Sequence, residues 1–148
     1  ALTPLLDGVE DASLLEPPVN VLRLSLHPRG LAPRIANLPE WRSHLLDRLR
    51  RQIAVTRDEV LAALLQELIA YPTGDAVRAI HAPGVSDNAG ILVPLQLVTG
   101  AGLLTLISTT TVFGTPRDIT LAELAVEAFF PGDAATRQRL EALGAPTS

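Results

Sequence analysis

The sequence predicts an α+β fold, a pair of helices followed by an antiparallel hairpin, on three observations. Between Asn37 and Tyr71, leucines recur at the three-and-four spacing of amphipathic helices. From Ile91 to Phe113, two apolar runs rich in β-branched residues meet at Thr99-Gly100-Ala101-Gly102, where Gly100 is expected to supply the positive φ of a tight turn. Helical segments come first and strands later, without the βαβ alternation of a parallel sheet.

The composition supports one folded domain. The chain has 148 residues, 47% of them hydrophobic and 19% charged, with a formal net charge of −4. At this length about 68–70% of the unfolded surface is buried, enough for a core without disulfides or metal. The acidic balance argues against direct nucleic-acid binding, which needs a concentrated basic surface. No cysteine is present, so disulfides and thiolate chemistry are excluded. Methionine is absent even at position 1, and the chain is expected to begin inside a larger protein or after processing. All 12 basic residues are arginine. No apolar run approaches the roughly 20 residues that span a bilayer, and Ala1 to Glu10 lacks the basic start of a signal peptide. A cytoplasmic protein is expected.

Ala1 to Pro18 reads as a connector with one short helical turn, ended by Glu16-Pro17-Pro18. Asn20 caps a brief helix, Val21 to Leu26, which stops at His27-Pro28 because the residue before proline is pushed out of the α region. Arg29 to Ala36 is a second connector or at most a helical turn. Next comes the clearest helix. Asn37 is its expected cap, Pro39 lies in its first turn, and Trp41, Leu45, Leu46, Leu49 and Ile53 form its apolar row. Arg42, Arg48, Arg50 and Arg51 lie on its other side, read as a solvated face or as a source of one ligand contact. Thr56 and Glu59 have capping-box spacing and predict a second helix, with Val60, Leu61, Leu64, Leu65, Leu68 and Ile69 on one broad side. The short link between the two helices predicts an αα-hairpin.

Thr73 to Gly90 is dense in turn formers and reads as a surface loop with one weak helical turn at Asp75 to Ile80. Pro94 marks the first strand of the hairpin as an edge strand or a bulged one. Gly114 to Asp118 turns the chain. Ile119 to Phe130 is ambiguous: Thr120 with Glu123 would open a helix, whereas Leu124, Val126, Ala128 and Phe130 would share one face of a strand. Pro131-Gly132-Asp133 ends that element, and Ala134 to Leu143 reads as a terminal helix.

Catalytic signatures are missing from the sequence. His27, His44 and His81 have no metal-ligand spacing and read as surface or capping residues. The serines have no evident triad partners, and Gly100 with Gly102 makes no dinucleotide fingerprint, because no helix follows. Neither a catalytic residue nor a metal or cofactor is expected. Thr109 to Thr111 reads as strand sequence or as a polar patch in a pocket, and Trp41 as a core anchor more than a stacking platform.

Two stretches go beyond generic pattern: Asn20 to Gln52 and Ser108 to Thr136. Together they resemble the C-terminal ligand-binding domain of MmyB-like transcription regulators, actinobacterial helix-turn-helix proteins of the XRE type. The shared features are an N-x-L-R-L opening at Asn20, Leu22, Arg23 and Leu24, then Pro28, then a leucine- and arginine-rich helix carrying Trp41. The resemblance spans most of the chain. It implies a PAS-like antiparallel sheet, three strands of it here, packed against the αα-hairpin, with Leu124 to Phe130 as the final strand. It also implies a single ligand-sensing domain over residues 1–148, truncated at its N-terminus. Such a domain binds a small apolar, fatty-acid-like effector and acts on DNA only through a helix-turn-helix domain outside this chain. Two strands preceding Ala1 would flank the final strand, whose outer edge is therefore expected to be exposed or borrowed by a neighbour. The ligand is placed between the hairpin and the Trp41 helix, with Trp41, Leu45, Leu49, Leu95, Leu106 and Phe113 as the candidate lining. The alternative is a dimerisation or protein-interaction module whose pocket is filled by its own side chains. A small-molecule enzyme ranks third, since it would need convergent polar groups in a cleft.

Overall fold

The computed structural model describes residues 3–72, 93–113 and 124–144. Its helices are α1 (Thr3–Leu6), α2 (Val21–Leu26), α3 (Leu38–Thr56), α4 (Glu59–Ala70) and α5 (Ala134–Gly144). Strands β1 (Leu95–Thr99), β2 (Gly102–Phe113) and β3 (Leu124–Pro131) form one antiparallel sheet in the order β1-β2-β3. The α+β class and the three-strand sheet are as expected.

Asn20 begins α2 by accepting a hydrogen bond from the Arg23 amide, and His27 ends it. The chain then doubles back tightly. Gly30 is required at this bend, because a Cβ there would sit 2.4 Å from the Leu24 carbonyl oxygen. Helix α3 buries Trp41, Leu45, Leu46 and Leu49. It stops at Arg57, whose left-handed φ of 54° lets its amide donate back to the Ile53 carbonyl.

Local chemistry differs from expectation at three places. Asn37 does not cap α3 with its side chain. Its amide instead donates to the Pro94 carbonyl and accepts from the Gln96 amide, fastening the start of α3 to the edge of β1. Thr56 belongs to α3, so the cap of α4 is Asp58, which accepts from the amides of Val60 and Leu61. In the hairpin, Gly102 rather than Gly100 carries the positive φ, +108°. Thr99 bridges this turn, accepting from the Ala101 amide and donating to the Gly102 carbonyl.

The broad apolar side predicted for α4 is narrower in fact. Leu64 and Leu68 are buried, while Val60 is 76% exposed and Ile69 lies at the surface. At its far end Arg42 donates to the carbonyls of Leu68, Ile69 and Tyr71, supplying the last turn of α4 with the donors it lacks. Leu124 to Phe130 is strand, although its local propensity is helical. Its eight-residue pairing with β2 overrides that preference. Pro94 lies just before β1, where its missing N–H leaves no gap in the ladder.

The three strands are staggered. The five residues of β1 pair with Gly102 to Leu106, and β3 pairs with Leu106 to Phe113. Where β3 stops, α5 takes over. Gly132 donates to the Thr105 carbonyl, the buried Thr136 hydroxyl accepts the Thr105 amide, and Arg139 donates to the Leu103 carbonyl. The free side of β1 is covered by the 32–37 segment through an Ile35–Leu97 bridge and the Ala36 amide on Gln96. Among the described residues, no strand lies beyond β3. The calls on Thr73 to Gly90 and on Gly114 to Asp118 lie outside the described residues.

Candidate ligand-binding site

Strand alternation puts Leu95 and Leu97 of β1 and Leu104 and Leu106 of β2 on one face of the sheet, toward the helices. All four are buried, and they join Trp41, Leu45, Leu49, Leu64 and Leu68 in one continuous cluster. Five of the six candidate lining residues, Trp41, Leu45, Leu49, Leu95 and Leu106, therefore meet between α3 and the hairpin. Phe113 ends β2 opposite Leu124. Its side chain lies outside the described residues.

Beyond Leu106 the character of that face changes. Ser108 follows at the next inward position and pairs with Phe129, and Glu127 lies one step further along β3. Glu127 is largely covered, and its carboxylate accepts from the Arg48 guanidinium at 3.1 Å. One turn back along α3 from Arg48 is His44, half-buried, its ring stacked on Trp41 at a centroid distance of 5.7 Å. Burial holds the His44 pKa below its ordinary value, and the positive charges of Arg48 and Arg51 add to the effect against Glu127 and Asp47. His44 is thus neutral near pH 7.

Trp41 is 1% exposed, and its indole Nε1 has no hydrogen-bond partner among the described residues. A buried donor left in this state costs about 1–3 kcal/mol. The spacing of Trp41, His44 and Arg48 places all three on one side of α3. The sequence marks His44 as a surface or capping residue and Arg48 as part of a solvated face or a source of one ligand contact, and it does not single out Glu127. The available signal was a lone carboxylate inside the apolar run Leu124 to Phe130.

Elsewhere, a pocket of about 400 Å³ adjoins the hairpin turn, bordered by Asp7, Arg34, Val98, Thr99 and Leu143. None of the candidate lining residues borders it. Arg34 is already engaged there, donating to the carbonyls of Leu5, Asp7 and Val98. It is a strut that ties the N-terminal turn to β1. A second polar cluster joins α2 to α4: Arg23 forks onto Glu67, which also accepts from the Tyr71 hydroxyl, and His27 meets the Tyr71 ring edge-on. The Arg23 bond, then the Tyr71 bond, hold the Glu67 carboxyl below its usual range, while burial and Glu67 push the Tyr71 hydroxyl up to about 12. Among the described residues no cluster of acidic or histidine side chains could hold a metal.

The sequence matches the family model for the MmyB-like transcription regulator ligand-binding domain over residues 1–143. The chain belongs to this family. No curated protein and no solved structure matches it significantly. In this MmyB-like ligand-binding domain, the seam between α3 and the inner face of the sheet holds five of the six candidate residues. It joins an apolar wall at Leu95, Leu104 and Leu106 to the polar group at His44, Arg48 and Glu127. No helix among the described residues is long and apolar enough to cross a membrane.

Proposed function

We propose that this MmyB-like domain is the single sensory unit of a cytoplasmic transcription regulator, and that it acts without catalysis. It binds a small apolar, fatty-acid-like effector between α3 and the β1–β2 hairpin, where Trp41, Leu45, Leu49, Leu95, Leu106 and Phe113 receive the chain. Binding there controls DNA affinity in a helix-turn-helix domain outside this chain. The family match carries the reading, and five of those six residues share the apolar cluster between α3 and the hairpin. An acyl chain entering it gains about 0.8 kcal/mol per methylene, so a dozen methylenes outweigh an association cost of several kcal/mol. A preference of about 1–3 kcal/mol for one arrangement of the domain is enough to change DNA affinity 5–150-fold.

Native mass spectrometry after mild purification tests this. A co-purifying lipid, or a higher melting temperature with long-chain fatty acids, is expected. Repeated absence of both sinks the reading.

A second reading, a dimerisation module whose pocket is filled by its own side chains, draws on the closed packing of that cluster and on Phe130, 53% exposed on the outward face of β3. Sedimentation equilibrium separates the two: a ligand-free dimer that Phe130→Ser dissociates would favour the second.

A further inference from the structure

Away from the leucine seam, stretches distant in sequence converge on the cavity of about 400 Å³ at the hairpin turn: Asp7, Arg34, Val98 to Ala101 and Leu143. That volume lies in the range of small-molecule sites. Val98, Ala101 and Leu143 give it apolar walls, and Val98, 43% exposed, keeps it within reach of solvent. The Thr99 hydroxyl is consumed within the turn itself, so the polar side chains left to the cavity are Arg34 and Asp7.

The charges on these two residues are unmatched. Arg34 is half-buried, and its guanidinium donates only to the backbone carbonyls of Leu5, Asp7 and Val98. Those bonds leave an N–H unspent on each terminal nitrogen, and no carboxylate among the described residues offsets the charge. Asp7 holds the guanidinium through its main chain, yet its carboxylate has no partner among the described residues. The last carbonyls of α5, around Leu143, add partial negative charge. An anion alone would gain Arg34 and meet Asp7, and a cation alone would gain Asp7 and meet Arg34. A zwitterion complements both.

We infer that this cavity is a second ligand site of the domain, taking a free α-amino acid with an apolar side chain. The carboxylate meets the remaining N–H groups of Arg34, the ammonium meets Asp7, and the side chain lies against Val98 and Leu143. Its occupant braces the N-terminal turn against the hairpin, two parts that Arg34 already joins. The site is independent of the apolar-effector reading, because no residue of the leucine cluster borders it. Either can fail alone.

L-Leucine is the probe, with two truncations of it as controls: 4-methylpentanoate, which lacks the ammonium, and 3-methylbutylamine, which lacks the carboxylate. Each is titrated into the 148-residue chain and followed by proton–nitrogen correlation spectra. Leucine is expected to move the amide resonances of Val98, Gly100 and Ala101 saturably, with a Kd of about 1 mM or tighter. Each control should bind roughly tenfold more weakly, the loss of one charge-assisted contact. Asp7→Asn alters an exposed side chain with no contact to lose. It should weaken leucine by the same factor and strengthen 4-methylpentanoate, which no longer meets a like charge. Leucine that moves no resonance at the turn overturns the inference, as do controls that match leucine or an Asp7→Asn variant that keeps full leucine affinity.

Discussion

The two halves of β2 share one backbone and opposite surroundings. Gly102 to Leu106 is paired with β1, continued on its other side by Gly132 and Thr136, and directs Leu104 and Leu106 into the leucine cluster. Ile107 to Phe113 is paired with β3 alone among the described strands, and its inward face begins with Ser108 beside the Arg48–Glu127 pair. The switch from leucine to serine in a single pleat separates an apolar part of the sheet that packs into the core from a part whose inward face is polar. Trp41 packs into the leucine cluster, and its N–H has no hydrogen-bond partner among the described residues.

The largest expected effect belongs to the first half. Leu104→Ala removes a fully buried side chain and should destabilise the domain by about 2–5 kcal/mol in urea unfolding. A loss below about 1 kcal/mol would mean that the leucine seam is loose rather than packed. Glu127→Ala, in the second half, deletes one partner of an ion pair whose arginine keeps access to water. It should cost about 1 kcal/mol by the same measurement. A loss equal to that of Leu104→Ala would erase the contrast between the halves.

Acid reaches a third region, the α2–α4 junction. Glu67 has a depressed folded pKa, so its contribution is complete above the ordinary value of 4.5 and disappears as pH falls through its lower folded value. Tyr71 is the opposite case: its folded pKa is raised, so its contribution is complete below 10 and lost as pH rises toward about 12. Thermal melts should therefore show the slope attributable to this junction in those two windows, and Glu67→Gln should flatten the acidic one. The smallest effect is expected from Ser108→Ala, within about 0.5 kcal/mol, because it removes a single hydroxyl from a half-buried position.

Much of the fold was legible because hydrophobic period and punctuation are local signals. The α3 row from Trp41 to Leu49, the Asn20 cap and the hairpin at Thr99 to Gly102 all follow from neighbours within a few residues. Contacts made across the chain were not legible. Asn37 has the sequence context of a cap, yet its amide is claimed by β1 nearly sixty residues later. Leu124 to Phe130 has helical propensity that pairing with β2 overrides, and alternation left helix and strand both open there until the family resemblance favoured the strand. The site divides the same way. Its leucine wall could be read from periodicity, whereas Glu127 meets Arg48 because β3 lies beside β2, which no spacing rule reveals.

The docking of α5 onto Thr105 has a consequence for solubility. Without Gly132, Thr136 and Arg139, the Thr105 amide and the carbonyls of Leu103 and Thr105 would form a bare strand edge beside a leucine-rich face. Such an edge is a template for pairing with another chain. The terminal helix thus serves as a guard against self-assembly. A chain ended at Pro131 should precipitate or form fibrils at concentrations where the 148-residue chain stays clear, even with α3 and the hairpin intact.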